Sequence, residues 1–151
     1  MKKLLTLLLV TFAVISAFGQ DIELIDGKYY KKGMLYSGIH TENYPNGNRK
    51  MILNIKNGVL DGTITTWYEN GRQQEQRSYI DGNKDGIWIT WDENGNKTAQ
   101  AGYKNNLKNG DWFIWAPNGQ PLYELHYQMG EKSGTWKIYD TNGTLVSERK
   151  Y

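Results

Sequence analysis

The chain has 151 residues, with 18 Lys and Arg against 16 Asp and Glu and no cysteine. Its length suits one domain, and the missing cysteine excludes disulfides, thiolate metal sites and cysteine nucleophiles. Setting Lys2 and Lys3 aside leaves 18 − 2 = 16 basic residues against 16 acidic ones, so the rest of the chain is formally neutral and lacks the overall basic field that a nucleic-acid or strong anionic-membrane binder needs.

Residues 1–19 read as a secretory signal peptide that begins as a helix. Lys2 and Lys3 form a basic start, Leu4 to Ile15 an apolar run too short for an ordinary spanning helix, and Ala17-Phe18-Gly19 a small-x-small cleavage signal. That reading places the chain outside the cytoplasm, in the periplasm or at the cell surface and beyond. Residues 20–37 read as a capping hairpin, in which Ile22, Leu24 and Ile25 precede an Asp26-Gly27 turn and Tyr29 and Tyr30 follow it. Gly33 misses by one residue the grid that governs everything after it, as expected of an atypical terminal unit.

From residue 38 onward the chain repeats. Leading glycines stand at 38, 62, 86, 110 and 134, turn glycines at 47, 71, 95, 119 and 143, and link positions at Gly58, Gly82, Asn106 and Gly130, all on a step of 24. Thirteen of the 17 glycines lie on this grid, so one supersecondary unit has been copied in a row. Within a unit, Thr63 to Glu69 reads as an ascending strand, Asn70-Gly71 as a type I′ turn setting Glu69 opposite Arg72, and Arg72 to Ile80 as the return strand. Return strands end at Tyr79, Tyr103, Tyr127 and Tyr151, with Ile55 in the first copy, and Asp81-Gly82 opens a link to the next unit. No segment after residue 20 sustains helical apolar spacing. The expected fold is all-β: five antiparallel hairpin repeats of period 24 over 38–151, forming an elongated, twisted meander sheet. Its last strand, Leu145 to Tyr151, would be an exposed edge guarded by Glu148, Arg149 and Lys150.

Two aromatic columns follow from the period. Trp88, Trp112 and Trp136 stand two residues after the leading glycine, with Ile64 and His40 in the earlier copies. Trp67, Trp91, Trp115 and Tyr139 stand five residues after it. Strand alternation sends these offsets to opposite faces, unless a bulge re-aims one of them. One repeat advances roughly 9–10 Å across the sheet, so rings of one column touch only through intervening side chains.

The frame Trp67-Tyr68-Glu69-Asn70-Gly71 followed by Tyr79 and Gly82 resembles the bacterial variant of the MORN repeat. Trp91 to Gly95 with Tyr103, and Tyr139 to Gly143 with Tyr151, are close copies, and Asp26 to Gly33 is similar to the cap of such proteins. Many bacterial chains of this kind are grouped with the YwqK antitoxin family. The resemblance implies a hairpin-built sheet used as an interaction surface, with a toxin as the partner in that family. A signal peptide would move any neutralising role outside the cytoplasm.

No constellation for chemistry emerges. His40 and His126 have no partner at ligand or relay spacing, which points to structural roles and no metal or cofactor. Asp61, Asp85, Glu69 and Glu93 recur beside turns, where an acidic side chain bonds local backbone, and no helix follows the glycines to cradle a phosphate. The expected function is therefore a non-enzymatic, exported protein-interaction module, antitoxin- or immunity-like. The alternative is a module that binds a surface polysaccharide on a tryptophan ladder. In both readings the candidate binding residues are Trp67, Trp91, Trp115 and Tyr139, which sit near the turns among Asn and acidic side chains.

Overall fold

The computed structural model describes residues 22–151, and every regular element within them is a β-strand. The expected signal peptide, residues 1–19, lies outside the described residues. Three short strands, β1 (Glu23–Ile25), β2 (Lys28–Lys31) and β3 (Met34–Leu35), form a separate small sheet. The repeats then contribute β4 (Gly38–Asn43), β5 (Arg49–Lys56), β6 (Val59–Leu60), β7 (Gly62–Trp67), β8 (Gln73–Ile80), β9 (Asn83–Lys84), β10 (Gly86–Trp91) and β11 (Lys97–Lys104). The last strands are β12 (Leu107–Trp115), β13 (Pro121–Gln128), β14 (Glu131–Tyr139) and β15 (Leu145–Lys150). The main sheet runs β4-β5-β7-β8-β10-β11-β12-β13-β14-β15, antiparallel throughout, with β6 paired to β5 and β9 to β8. It is a meander in which each hairpin adds two strands, as the period of 24 requires. β15 lies at one end of this order and is exposed along its whole length.

The Asn-Gly turns are not type I′. Only the glycine has positive φ, as at Gly47 (88°), Gly71 (84°) and Gly95 (89°). Gly71 N–H donates to the Tyr68 carbonyl at 2.9 Å and Tyr68 N–H to the Arg72 carbonyl at 2.8 Å. Tyr68, not Glu69, therefore faces Arg72. The turn is a type I bend closed by a glycine in the left-handed region, and its second position takes Pro45, Glu69 or Pro117 without strain. The asparagine serves by its side chain: the Oδ1 atoms of Asn46, Asn70 and Asn118 accept the N–H two residues on, at 2.9, 2.9 and 3.1 Å. Turns with both central φ positive occur instead at the links, Asn57-Gly58 (50°, 78°) and Asp81-Gly82 (45°, 80°) among them.

All five hairpins carry a register shift at one place, between Glu42 and Asn43, Thr66 and Trp67, Thr90 and Trp91, Ile114 and Trp115, and Ile138 and Tyr139. The extra residue belongs to the return strand: Lys50, Gln74, Thr98, Leu122 and Val146. A bulge is thus present, but it does not re-aim the second aromatic column. The ascending strand alternates undisturbed, so offsets two and five lie on opposite faces. Phe113, two residues before Trp115, stacks on it with centroids 5.6 Å apart.

The core sits at one end of one face. Leu53, Ile55 and Ile64 are buried there, with Ile22, Tyr29 and Tyr36 of the capping segment packed against them. The segment is tied on through backbone. Tyr29 N–H donates to the Gly58 carbonyl and Gly58 N–H to the Tyr36 carbonyl, both at 2.8 Å. A Cβ at Gly58 would lie 3.1 Å from the Tyr29 carbonyl oxygen, so only glycine lets the cap come this close.

Candidate functional site

On the face that carries the core, the offset-two tryptophans alternate with the grid tyrosines in one unbroken ladder. Tyr79, Trp88, Tyr103, Trp112, Tyr127, Trp136 and Tyr151 follow one another with centroid separations of 5.3, 4.8, 5.2, 5.4, 5.2 and 4.8 Å. The rings are tilted by 47–62°, the edge-to-face range in which each pair contributes about 0.5–1.5 kcal/mol beyond the area it buries. The tyrosine of the intervening strand fills the gap between successive tryptophans. Each indole is also pinned by its N–H, with Trp88 donating to the Ser78 carbonyl, Trp112 to that of Gly102 and Trp136 to that of His126, at 2.9–3.0 Å. Burial raises the Tyr103 phenol above its ordinary pKa.

A column of cations lies along this ladder. Lys84 Nζ sits 4.7 and 5.1 Å from the centroids of Trp88 and Tyr103, Lys108 Nζ 4.5 and 4.7 Å from those of Trp112 and Tyr127, and Lys132 Nζ 4.4 and 4.8 Å from those of Trp136 and Tyr151. Sequence reasoning passed over these lysines. The signal was available, because they too keep the step of 24, four residues before each tryptophan. What was missing was the intervening tyrosine as a second ring for each ammonium.

The opposite face carries the residues expected to bind. Trp67, Trp91, Trp115 and Tyr139 are all half-buried, so they are neither a sealed core nor a free-standing platform. Arg49 lies 5.6 Å from the Trp67 ring, and the hydroxyls of Tyr44 and Tyr68 donate to the Trp67 and Trp91 carbonyls at 2.8 and 2.9 Å. Burial, and then the Glu124 carboxylate, raise the Tyr139 phenol. The four rings lie in one file, one per hairpin, beside branched aliphatic side chains of the same face. Ile39 and Ile87 among these are 62% and 43% exposed. No second layer covers this strip among the described residues.

The histidines behave differently from each other. His40 is buried, with Nε2 3.4 Å from Glu42 Oε1. Burial would raise the Glu42 carboxyl, but Lys50 and His40 outweigh it and hold the group below its ordinary value. His126 does have a partner, since the strand register puts Asp111 opposite it and Nδ1 lies 2.6 Å from Asp111 Oδ1. The expectation of no relay spacing fails there because the two residues are 15 apart in sequence and meet only across the sheet. Both groups are substantially exposed, so the pair is a surface contact of small energetic weight. No group of three or more His, Asp or Glu able to hold a metal occurs among the described residues.

Comparison with known proteins agrees with this geometry. Residues 84–105, 108–129 and 132–151 each match the family described as the MORN repeat variant. Each match opens on a ladder lysine, and together they cover the ladder from Trp88 to Tyr151. No curated protein matches the chain. Units three to five thus resemble the variant MORN repeat, and the sheet they extend is built from the same hairpin unit throughout.

Proposed function

We propose that the chain is an exported, non-enzymatic module that docks a partner protein on the strip formed by Trp67, Trp91, Trp115 and Tyr139. The observation that carries the reading is the company these rings keep. Half-exposed aromatics stand in file with exposed isoleucines on an uncovered stripe, bordered by charges of both signs such as Arg49, Lys97 and Glu124, the arrangement of an apolar interface centre with a polar rim. The likeness of the repeats to YwqK-type chains makes a toxin the partner class to try first, neutralised outside the cytoplasm.

The test is affinity capture from envelope and culture supernatant with the chain from Gln20 onward as bait, read by mass spectrometry. A single stoichiometric protein that is lost with Ile87→Asp and with Trp91→Ala, each shown folded by circular dichroism, is the expected result. Capture insensitive to both substitutions contradicts the docking strip. A polysaccharide retained in place of a protein, and released by Trp91→Ala, would move the reading to a glycan stacked on the same four rings.

A further inference from the structure

The ladder face has a property that the chain's balanced charge conceals. Lys84, Lys108 and Lys132 form no ion pair with a carboxylate among the described residues. Beyond the rings, Lys108 and Lys132 have as polar partners the Tyr127 and Tyr151 hydroxyls, at 3.5 and 3.4 Å. From Trp88 onward, no strand position on this face holds Asp or Glu, as the pairing register shows. Of the carboxylates of these units, Glu124 lies 4.0 Å from Lys137 and Asp111 pairs with His126 on the other face, while Asp92 and Asp140 cap turns and Asp85 pairs with Lys104 in a link. Two arginines add to the ladder side, Arg149 over the Tyr151 ring and Arg77 over the Trp88 ring, the latter paired with Glu75 at 2.6 Å. From Trp88 onward the ladder face therefore carries lysines with no strand carboxylate to balance them, whereas the opposite face holds both signs.

We propose that this face binds a linear acidic polysaccharide, one that carries a carboxylate on every second sugar. Lys108 with Tyr127 and Lys132 with Tyr151 each present an ammonium beside a phenol hydroxyl, two donors that suit a carboxylate oxygen, and Lys84 holds its ammonium over the Tyr103 ring at the corresponding place. The ammonium is held over two rings, so little side-chain freedom remains to be lost when an anion arrives. Successive pairs stand one repeat apart, roughly 9–10 Å, which is the order of one disaccharide. Three equal sites in line suit a polymer whose charge recurs at that step, and occupying them together multiplies weak single contacts. A single-stranded nucleic acid fits less well. Its phosphates recur at every nucleotide, and its bases need free ring faces to stack on, whereas these rings are covered by lysines and by each other.

This site uses the opposite face from the protein-docking strip, so either reading can fail alone. The test is titration of the full described chain with an octasaccharide of alternating glucuronic acid and N-acetylglucosamine, beside the same octasaccharide with its carboxyls reduced. We expect saturable binding of the acidic form only, weakened roughly 20–40-fold by raising salt from 50 to 200 mM, the loss expected for three charge contacts to a polyanion. Lys108→Met should weaken binding about tenfold, the three-site variant Lys84→Met, Lys108→Met, Lys132→Met should abolish it, and Lys108→Arg should retain it. Lys97→Met, on the other face, should leave it unchanged. Equal binding of the reduced octasaccharide, or undiminished binding by a folded three-site variant, overturns the proposal. So does preference for an oligonucleotide or for anionic vesicles at matched charge.

Discussion

The two ends of the sheet solve one problem in different ways. The first two units bury Leu53, Ile55 and Ile64 beneath Tyr29 and Tyr36 of the capping segment, a small two-layered aliphatic core. The last three have nothing laid over them, and line the same face with alternating Trp and Tyr whose edges seal against each other. A repeat frame of glycines and turns therefore fixes the backbone path but leaves open how the face is closed. Where a neighbouring segment can cover it, short branched side chains suffice. Where none is available, long rings must provide both the packing and the lid, with lysine stems and ammonium groups as the outer surface. The family matches fall on the ladder units, which are the ones whose side chains follow the repeat as strictly as their backbone.

The sharpest way to break the comparison is to remove a rung. Trp112→Ala deletes both of its ring contacts and its bond to the Gly102 carbonyl, and should cost about 3–5 kcal/mol in urea unfolding. A loss under about 1 kcal/mol would mean the ladder is ornament on a sheet held by backbone alone. Leu53→Ala, at the buried end, should cost about 2–5 kcal/mol, with the damage felt in the cap, where Tyr29 is packed. Gly102→Ala should cost about 1–3 kcal/mol, because a Cβ there collides with the Asn109 carbonyl where β12 bulges over β11, although the glycine itself needs no positive φ. Lys108→Met keeps the stem and removes the charge, so about 0.5–1 kcal/mol per ring contact should be lost, and a thermal melt that does not shift would deny the cation a structural role.

Proton titration separates the parts more gently. Tyr29 and Tyr103 are both raised by burial, so the neutral phenol is the form folding favours, and the stabilisation is complete below the ordinary value of about 10 and is lost as pH climbs through the raised folded values. An alkaline absorbance titration should show both phenols ionising after the bulk of the tyrosines. Asp92 runs the other way. The Asn96 side-chain amide, and then the backbone N–H groups of Asn96 and Asn94, hold its carboxyl below the ordinary value, so the third turn gains order above about pH 4 and loses it as pH falls through the depressed folded value. Amide shifts of Asn94 and Asn96 that move at the ordinary carboxylate pH would contradict this.

Much of the fold was legible because glycine is read directly from sequence and its spacing leaves little freedom. The hairpins and their order follow from the step of 24, and the turn of the capping segment from Asp26-Gly27. The turn type did not follow, since Asn-Gly serves both a type I′ turn and a type I bend ending in a left-handed glycine, and the choice depends on Tyr68 meeting Arg72. Nor did the bulge at Gln74 and its equivalents, which no residue type marks. The opposite placement of the two aromatic columns was predictable from parity, but the ladder was not seen in the sequence because Tyr103 and Trp112 are neighbours across strands and not along one. The pairing of His126 with Asp111 was hidden for the same reason.

The central claim is that the ring ladder is the core of the last three units and the aliphatic cluster that of the first two. Hydrogen exchange on the intact chain and on Trp112→Ala tests it most directly. The account predicts that protection falls in β10 to β14 while amides of β5 and β7, around Leu53 and Ile64, keep their wild-type rates, as expected when repeats couple mainly to nearest neighbours. Equal loss of protection from β4 to β15 would contradict it, showing a single cooperative sheet in which the rings hold no region of their own.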